Sequence, residues 1–391
     1  MCNIHYGQSK ISHCNHLYYK GRPLYAYLKK SAIEKNLSFL KEKLKGSSSH
    51  TKVWATVKAN AYGHGLMKVL PALSQADGIA VLDLKEAIKC QNFGWNKPIM
   101  VYGGLYAPSE IPLLFKVPNI HLVISHLAQL DWLKNSPILE SQTLTSCTLW
   151  LRYHGDTHHC GFNEIDYQDA YNRAAELLSK RLINGIGHFN HYACAENRKS
   201  INDSEITFNN LIKRLPGETS TGNSAALLLY PEHCKDTNWV RPGLALYGAS
   251  PIPYLSAETL GLEPAMSLHS ELIAIQYLSA GDKVGYGGTF IASKDMKIGL
   301  ISCGYGDGYP RHASTGTPIL VDSTKTQLLG KVSMDISVVD LTRIPKAKIG
   351  TPVTLWGTCD LPVEEVAAAA GTIAAELFTR LSTEVQIIQY D

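Results

Sequence analysis

Along the first 250 residues or so, short apolar runs alternate with longer polar segments. The runs are KVWATVK (52–58), GIAVLD (78–83), PIMVYGG (98–104), IHLVIS (120–125) and CTLWLRY (147–153). INGIGHFNHY (183–192), GETSTGNS (217–224) and VRPGLALYG (240–248) follow. Continuous apolar runs of this length read as strands buried on both faces. Between them, DLKEAIKCQNFG (83–94) and YQDAYNRAAELLSKRL (167–182) predict helices. The second carries apolar or small residues at i, i+3, i+4 spacing. Strands alternating with helices predict βαβ units and a parallel sheet. Eight such units predict a (β/α)8 barrel rather than an open sheet.

After about residue 260 the pattern changes. SLHSELIAIQYL (267–278), KIGLISCG (297–304), TPILVDS (317–323), QLLGKVSMDISVVDL (327–341) and GTPVTLWG (350–357) predict strands separated by Gly, Pro and Asp turns. Only PVEEVAAAAGTIAAELFTRL (362–381) predicts a helix. The expected organisation is an α/β chain in three parts: an N-terminal extension over 1–21, a (β/α)8 barrel over 22–258, and a mainly β domain over 259–391. The boundary is expected within ASPIPYLSAETLGLEP (249–264), which is rich in Pro, Gly and Ser.

Composition narrows the class. The chain has 391 residues, 45% apolar and 18% charged, which is a globular composition. A formal net charge of +3 gives no electrostatic case for nucleic acid. Nine scattered cysteines with no C-x-x-C pair argue against a disulfide framework or zinc site and favour a reducing cytosol. No apolar run approaches the roughly 18 residues that span a bilayer, and the polar N-terminus lacks a signal-peptide core. A cytoplasmic protein with no membrane partner is expected.

The first barrel strand ends on an unusual residue. In VWATVKANAYGHG (53–65), Lys58 follows four apolar positions at the end where barrels build active sites. Lysine against apolar neighbours has a depressed pKa, and its neutral amine can form a Schiff base with pyridoxal phosphate. Taken alone, a lysine at a strand end reads as one reaching for water. Its neighbours change that reading. VKANAYGHG closely resembles the cofactor-lysine signature of the alanine racemases. VRPGLALYG (240–248), VGYGGT (284–289), GYGDGYPR (304–311), GKVSMD (330–335) and ELFTRL (376–381) resemble further segments of that family, in the same order.

The resemblance implies a barrel that binds pyridoxal 5'-phosphate, a β domain, a homodimer with active sites shared across its interface, and alanine as substrate. It also implies roles for particular residues. Lys58 matches the Schiff-base lysine, which doubles as one proton-transfer base. Tyr62 matches a phosphate-binding tyrosine. Asn223 and Ser224 match the phosphate-loop pair, although Asn-Ser alone reads as a helix N-cap. Gly243 and Leu244 match backbone amides that hold the same phosphate. Arg241 matches the arginine facing the pyridine nitrogen of the cofactor. A permanent cation cannot accept a proton from that nitrogen. The ring therefore remains a weak electron sink, which suits racemisation over transamination.

Tyr286 matches the second base, supplied by the other subunit, and His191 matches a histidine linking that tyrosine to the arginine. Met334 matches a backbone amide that binds the substrate carboxylate across the dimer. Tyr305 and Arg311 match residues of the substrate entry path.

Two places depart from the family. In LWLRYHGDTHHCGFN (149–163), Arg152 stands where a lysine that is often carbamylated is usual. His159 stands where an arginine contacts the cofactor's phenolic oxygen and the substrate carboxylate. Histidine is shorter and cannot make a bidentate fork, so the two changes look coupled. Ala375 replaces a tyrosine that touches phosphate and narrows the pocket, which predicts a looser site. Three alternatives follow: a racemase of broader or serine specificity, a related decarboxylase, and a degenerate cofactor-binding protein. The decarboxylase is disfavoured because such enzymes place a carboxylate, not Arg241, at the ring nitrogen. Tyr286 in its motif argues against the degenerate protein.

Overall fold

A computed structural model describes residues 21–46, 50–144 and 146–391. The expected N-terminal extension lies almost wholly outside the described residues. The chain forms two compact units. One is Lys30–Ala265. The other joins the described residues from Gly21 to Lys29 with Met266–Tyr390.

The first strand of the chain, β1 (Leu24–Leu28), belongs to the second of these units. The barrel follows it. Its strands are β2 (Lys52–Thr56), β3 (Gly78–Val81), β4 (Ile99–Val101), β5 (Ile120–Ile124), β6 (Cys147–Arg152), β7 (Gly185–Phe189), β8 (Glu218–Thr221) and β9 (Trp239–Val240). They close into a parallel barrel when β9 pairs with β2 at Lys52 and Val53. Seven of the eight strands fall inside the expected segments, and β9 begins at Trp239, one residue before VRPGLALYG (240–248).

The interior is a layer of one side chain from each of seven strands: Trp54, Ala80, Met100, Val123, Trp150, Phe189 and Trp239. Trp54 and Trp239 stack with ring centroids 4.0 Å apart. Such rings bury about 150–250 Å² each, roughly 4–6 kcal/mol of transfer free energy. They fit because neighbouring strands supply small residues. A Cβ on Gly78 would lie 2.2 Å from the Trp54 ring. Outer helices form where polar caps allow. Asp83 accepts from the amide of Glu86 at 2.8 Å ahead of Leu84–Asn92. Asn163 caps Glu164–Ser179.

The second unit is built on β10 (Met266–Leu278), with β11 (Lys283–Val284), β12 (Phe290–Ile291), β13 (Met296–Ile301), β14 (Pro318–Val321), β15 (Thr324–Gln327), β16 (Ser337–Asp340), β17 (Pro352–Trp356) and β18 (Gln386–Gln389). The main sheet runs β15-β14-β17-β10-β1-β18, with β13 and β16 off β10. β1 is antiparallel to β10 and parallel to β18.

Both edges of the barrel unit therefore differ from the expected 22–258. β1 buries only alternate residues, Leu24, Ala26 and Leu28, as a strand with one covered face does. Arg22 ties the same segment into that unit through two hydrogen bonds to the Asp307 carboxylate, 2.5 and 2.7 Å long. At the other edge, residues 259–265 stay with the barrel. The Asn36 amide donates to the Glu263 carbonyl at 2.8 Å, and the Ala265 amide to the Tyr247 carbonyl at 3.1 Å.

Two further expectations change inside the β unit. The helix expected over 362–381 is two helices, Val363–Ala369 and Ala374–Thr379. Gly371, at φ 71°, adopts the left-handed conformation that ends the first. The strand expected over 327–341 survives only at its ends, as the last residue of β15 and as β16. Between them runs a loop through Gly330, at φ 72°, that carries Met334.

Candidate active site

β2 ends at Thr56, and the chain then makes a tight turn over Lys58–Tyr62. Ala59, Asn60, Ala61 and Tyr62 all have φ between 51° and 55°. Four consecutive L-residues in the left-handed region cost roughly 1–2 kcal/mol each, so the surroundings must hold them. The Glu86 carboxylate accepts from the amides of Asn60 at 3.3 Å and Leu82 at 2.9 Å. The Asn60 side chain accepts from the Leu66 amide at 2.8 Å. The turn puts Lys58 and Tyr62 on the wall of one cavity.

That cavity, about 830 Å³, is lined by ten of the fifteen residues singled out from sequence: Lys58, Tyr62, Arg152, His159, His191, Asn223, Ser224, Arg241, Gly243 and Leu244. Lys58 Nζ lies 5.5 Å from the centre of the Tyr102 ring. Burial pushes the Lys58 pKa down, and the positive charge of Arg152 adds to that shift. Glu86 opposes it.

At one end, Tyr62 and the β8 and β9 loops come together. A Cβ on residue 243 would sit 2.5 Å from the Tyr62 hydroxyl, so only glycine lets the phenol approach this backbone. Burial raises the Tyr62 pKa, which keeps its hydroxyl protonated. Ser224 Oγ accepts from the amides of Gly243 at 2.8 Å and Ala245 at 3.3 Å. Asn223 caps the Ser224–Leu229 helix by accepting from the Ala226 amide at 3.1 Å. Its amide nitrogen donates to the Tyr192 carbonyl at 3.1 Å. Asn223 therefore fixes Ser224 in place.

At the other end, Arg241 is 4% exposed. Nη1 donates to Ser220 Oγ at 2.8 Å and to the Thr221 carbonyl at 3.2 Å. Nη2 donates to the Asn190 carbonyl at 2.5 Å and faces His191 Nδ1 at 3.4 Å. The guanidinium rests 3.8 Å above the Phe189 ring, while its Nε is buried with no partner. Burial lowers the Arg241 pKa to about 10, which leaves it charged at neutral pH. Burial and then Arg241 push His191 down to about 3, so it is a neutral imidazole.

Arg152 ends β6 and points at the same Phe189 ring, 5.4 Å from its centre. His159 is exposed. Tyr286 and Met334 lie in the β unit, where they are 67% and 55% exposed. The Tyr305 amide donates to the Ser333 carbonyl at 3.0 Å, and the Gly306 amide to the Met334 carbonyl at 2.8 Å. Arg311 stacks 5.3 Å from the Tyr305 ring. Ala375 is half-buried in the Ala374–Thr379 helix.

Sequence reasoning passed over Tyr102 and Phe189, which read as barrel core. Tyr102 meets Thr56 Oγ1 at 3.1 Å and sets its edge on Phe189 at 5.9 Å. Its place just past β4, at the catalytic end of a barrel strand, was the available signal. Among the described residues no cluster of metal-ligating side chains occurs, and no helix is long and apolar enough to cross a membrane.

Comparisons with known proteins agree along the whole described chain. Family models described as alanine racemase N-terminal domain and C-terminal domain match residues 28–251 and 265–389. An alanine racemase of Bordetella avium is 40% identical over 374 residues, covering 94% of this chain and 98% of that protein. One of Cupriavidus metallidurans is 42% identical, covering 93% and 96%. Among solved structures, the biosynthetic alanine racemase of Pseudomonas aeruginosa superposes with a TM-score of 0.86 at 36% identity, over 95% of this chain and 100% of that one. The Bartonella henselae alanine racemase, solved with covalently bound pyridoxal phosphate, gives 0.82 at 25% identity, over 94% and 99%.

Proposed function

The chain belongs to the alanine racemase family, and from that premise we propose that it interconverts L- and D-alanine at a barrel cavity completed by a second copy. Members of the family are enzymes that depend on pyridoxal phosphate.

The residues present fit that cofactor. The cavity is within the roughly 300–1,000 Å³ of small-molecule sites. A protonated Tyr62 hydroxyl, the Ser224 hydroxyl and the Leu244 amide offer hydrogen-bond donors to a phosphate, and the Gly243 amide holds Ser224 Oγ in place. Lys58 offers an amine with a depressed pKa. The orphaned Nε of Arg241 offers a buried donor to a ring nitrogen. When bound, pyridoxal phosphate supplies an electron sink that acidifies the Cα–H bond of the amino acid.

The chain's own groups then divide the work. Lys58 Nζ exchanges a proton with Cα from one face, and burial keeps it able to accept one at neutral pH. Tyr286 Oη of the partner subunit exchanges a proton from the other face. Two bases give inversion, because a single base returns the proton to the side it came from. Arg241 stays charged and so cannot take a proton from the ring. His191, neutral, accepts from Arg241 and lines the cavity.

The observation that carries this reading is the assembly of Lys58, Tyr62, Ser224 and Arg241, far apart in sequence, around one cavity. The test is purified protein supplied with pyridoxal phosphate and L-alanine, followed for D-alanine by chiral chromatography. D-Alanine at a wild-type rate supports the proposal; cofactor binding without turnover would leave only a storage protein. Ala375 favours a second reading of broader specificity, since a methyl stands where the family has a phenol. L-Serine and longer amino acids in the same assay test it, and strict alanine turnover would end it.

A further inference from the structure

We propose that Arg152 is the residue that receives the substrate's carboxylate. This rests on the racemase reading above and names the group that binds the anionic end of its substrate.

The cavity carries three cations, Lys58, Arg152 and Arg241. Arg241 is engaged by neutral partners on both Nη atoms, and its remaining Nε is buried without a partner. Lys58 is committed to the cofactor. Arg152 has no such engagement. Its Nε is buried without a hydrogen-bond partner, and among the described residues no carboxylate forms an ion pair with its guanidinium. Glu86, the acid that acts on Lys58, is spent on the amides of Asn60 and Leu82. Glu196, the one acid among the cavity's lining residues, is not paired with Arg152 either.

A partly buried guanidinium without an anion is costly unless a ligand brings one. Its position suits an amino acid bound at Lys58. Arg152 is close enough to Lys58, Arg241 and His191 for its charge to perturb all three. The Phe189 ring that supports Arg241 also lies 5.4 Å from the Arg152 guanidinium, a cation–π contact that helps place it. A guanidinium so placed meets a carboxylate through two parallel hydrogen bonds. His159 cannot substitute for it. It sits exposed at the rim, and imidazole has no such fork.

The test uses holoenzyme and a carboxylate that lacks an amine. Propionate binding is measured by calorimetry on wild type, Arg152→Met and Arg152→Lys. Cofactor loading and thermal unfolding are checked for each. Arg152→Met should weaken propionate by about 30-fold, as expected for losing charge-assisted hydrogen bonds. Arg152→Lys should fall between the two. The alanine KM should rise with the propionate dissociation constant, while kcat changes by less than about 3-fold. Propionate binding within about 2-fold of wild type in Arg152→Met would overturn the proposal. So would unchanged propionate binding with a shifted pH titration of the bound cofactor's absorbance, which would assign Arg152 to the cofactor's phenolate. A wild-type protein that racemises nothing would sink the racemase reading instead, and leave the propionate result standing separately.

Discussion

Lys58 and Tyr286 are assigned the same task from opposite surroundings. Lys58 sits in a barrel cavity where burial lowers its pKa, and shares its walls with Tyr62 and Ser224 and with Arg241. Tyr286 stands on a glycine-rich turn of the β unit, 67% exposed, with Gly285, Gly287 and Gly288 all at positive φ around it. A buried group is tuned by its own chain. An exposed group must be tuned by whatever covers it. The barrel cavity gathers its own charged and polar groups, while Tyr286 and Met334 stand exposed on the β unit. That contrast is what a site shared between two copies requires.

The contrast can be broken most severely at the buried partner. Lys58→Ala should abolish the visible absorbance of lysine-bound cofactor and reduce turnover by at least about 10⁴-fold, since covalent attachment and one base are both lost. Residual turnover above that in a spectrophotometric assay would show that another amine serves. Tyr286→Phe should cost about 10²–10³-fold in kcat and leave cofactor absorbance unchanged. Solvent deuterium should still enter Cα of one enantiomer, by NMR, without inversion. Equal loss of exchange from both enantiomers would remove the division of labour between the two groups.

Acid stability separates the units more gently. Burial lowers His64 and His121 to about 4 and His191 to about 3 in the barrel unit, and His269 to about 4 in the β unit. Each is neutral when folded and gains a proton on unfolding once the pH is below the ordinary histidine value near 6.5. Their contribution is complete above pH 6.5 and is lost as the pH falls toward 4. The loss is on the order of 2–3 kcal/mol per histidine. The barrel, with three of the four, should lose protection first when amide exchange is followed from pH 7 to 4. Faster loss in the β unit would contradict this. The smallest effect is expected at the turn that aims Lys58. Glu86→Gln should cost about 1 kcal/mol in thermal unfolding and loosen the cofactor, because it weakens the acceptor bracing the left-handed segment.

Much of this was legible in the sequence because burial on both faces leaves a plain signature. Most barrel strands lie in short apolar runs, and β8, Glu-Thr-Ser-Thr, is the polar exception. β1 was harder to place. LYAYL alternates as a half-buried strand does, but alternation does not say which sheet it joins, and its partners lie far along the chain, from Met266 onward. The break in the last helix was visible only as a single Gly371. The left-handed turn was invisible. Ala59, Asn60 and Ala61 have no common preference for positive φ, and tertiary contacts from Glu86 impose it. At the site, Lys58, Tyr62 and Arg241 were found through motifs. Tyr102 and Phe189 were hidden because aromatic residues in apolar strands look like packing. The free guanidinium of Arg152 could be seen only once the cavity's acids had been traced to their own partners.

The central claim is that Lys58 and Tyr286 act together only across two copies. Subunits carrying Lys58→Ala and Tyr286→Phe, differently tagged and co-expressed, yield a hybrid isolated by both tags. In it one site has both residues and the other has neither. The account predicts that a random mixture recovers about a quarter of wild-type turnover, and the purified hybrid about half, from two inactive parents. Turnover no higher than that of either parent, in a hybrid that is stable and loaded with cofactor, would contradict it.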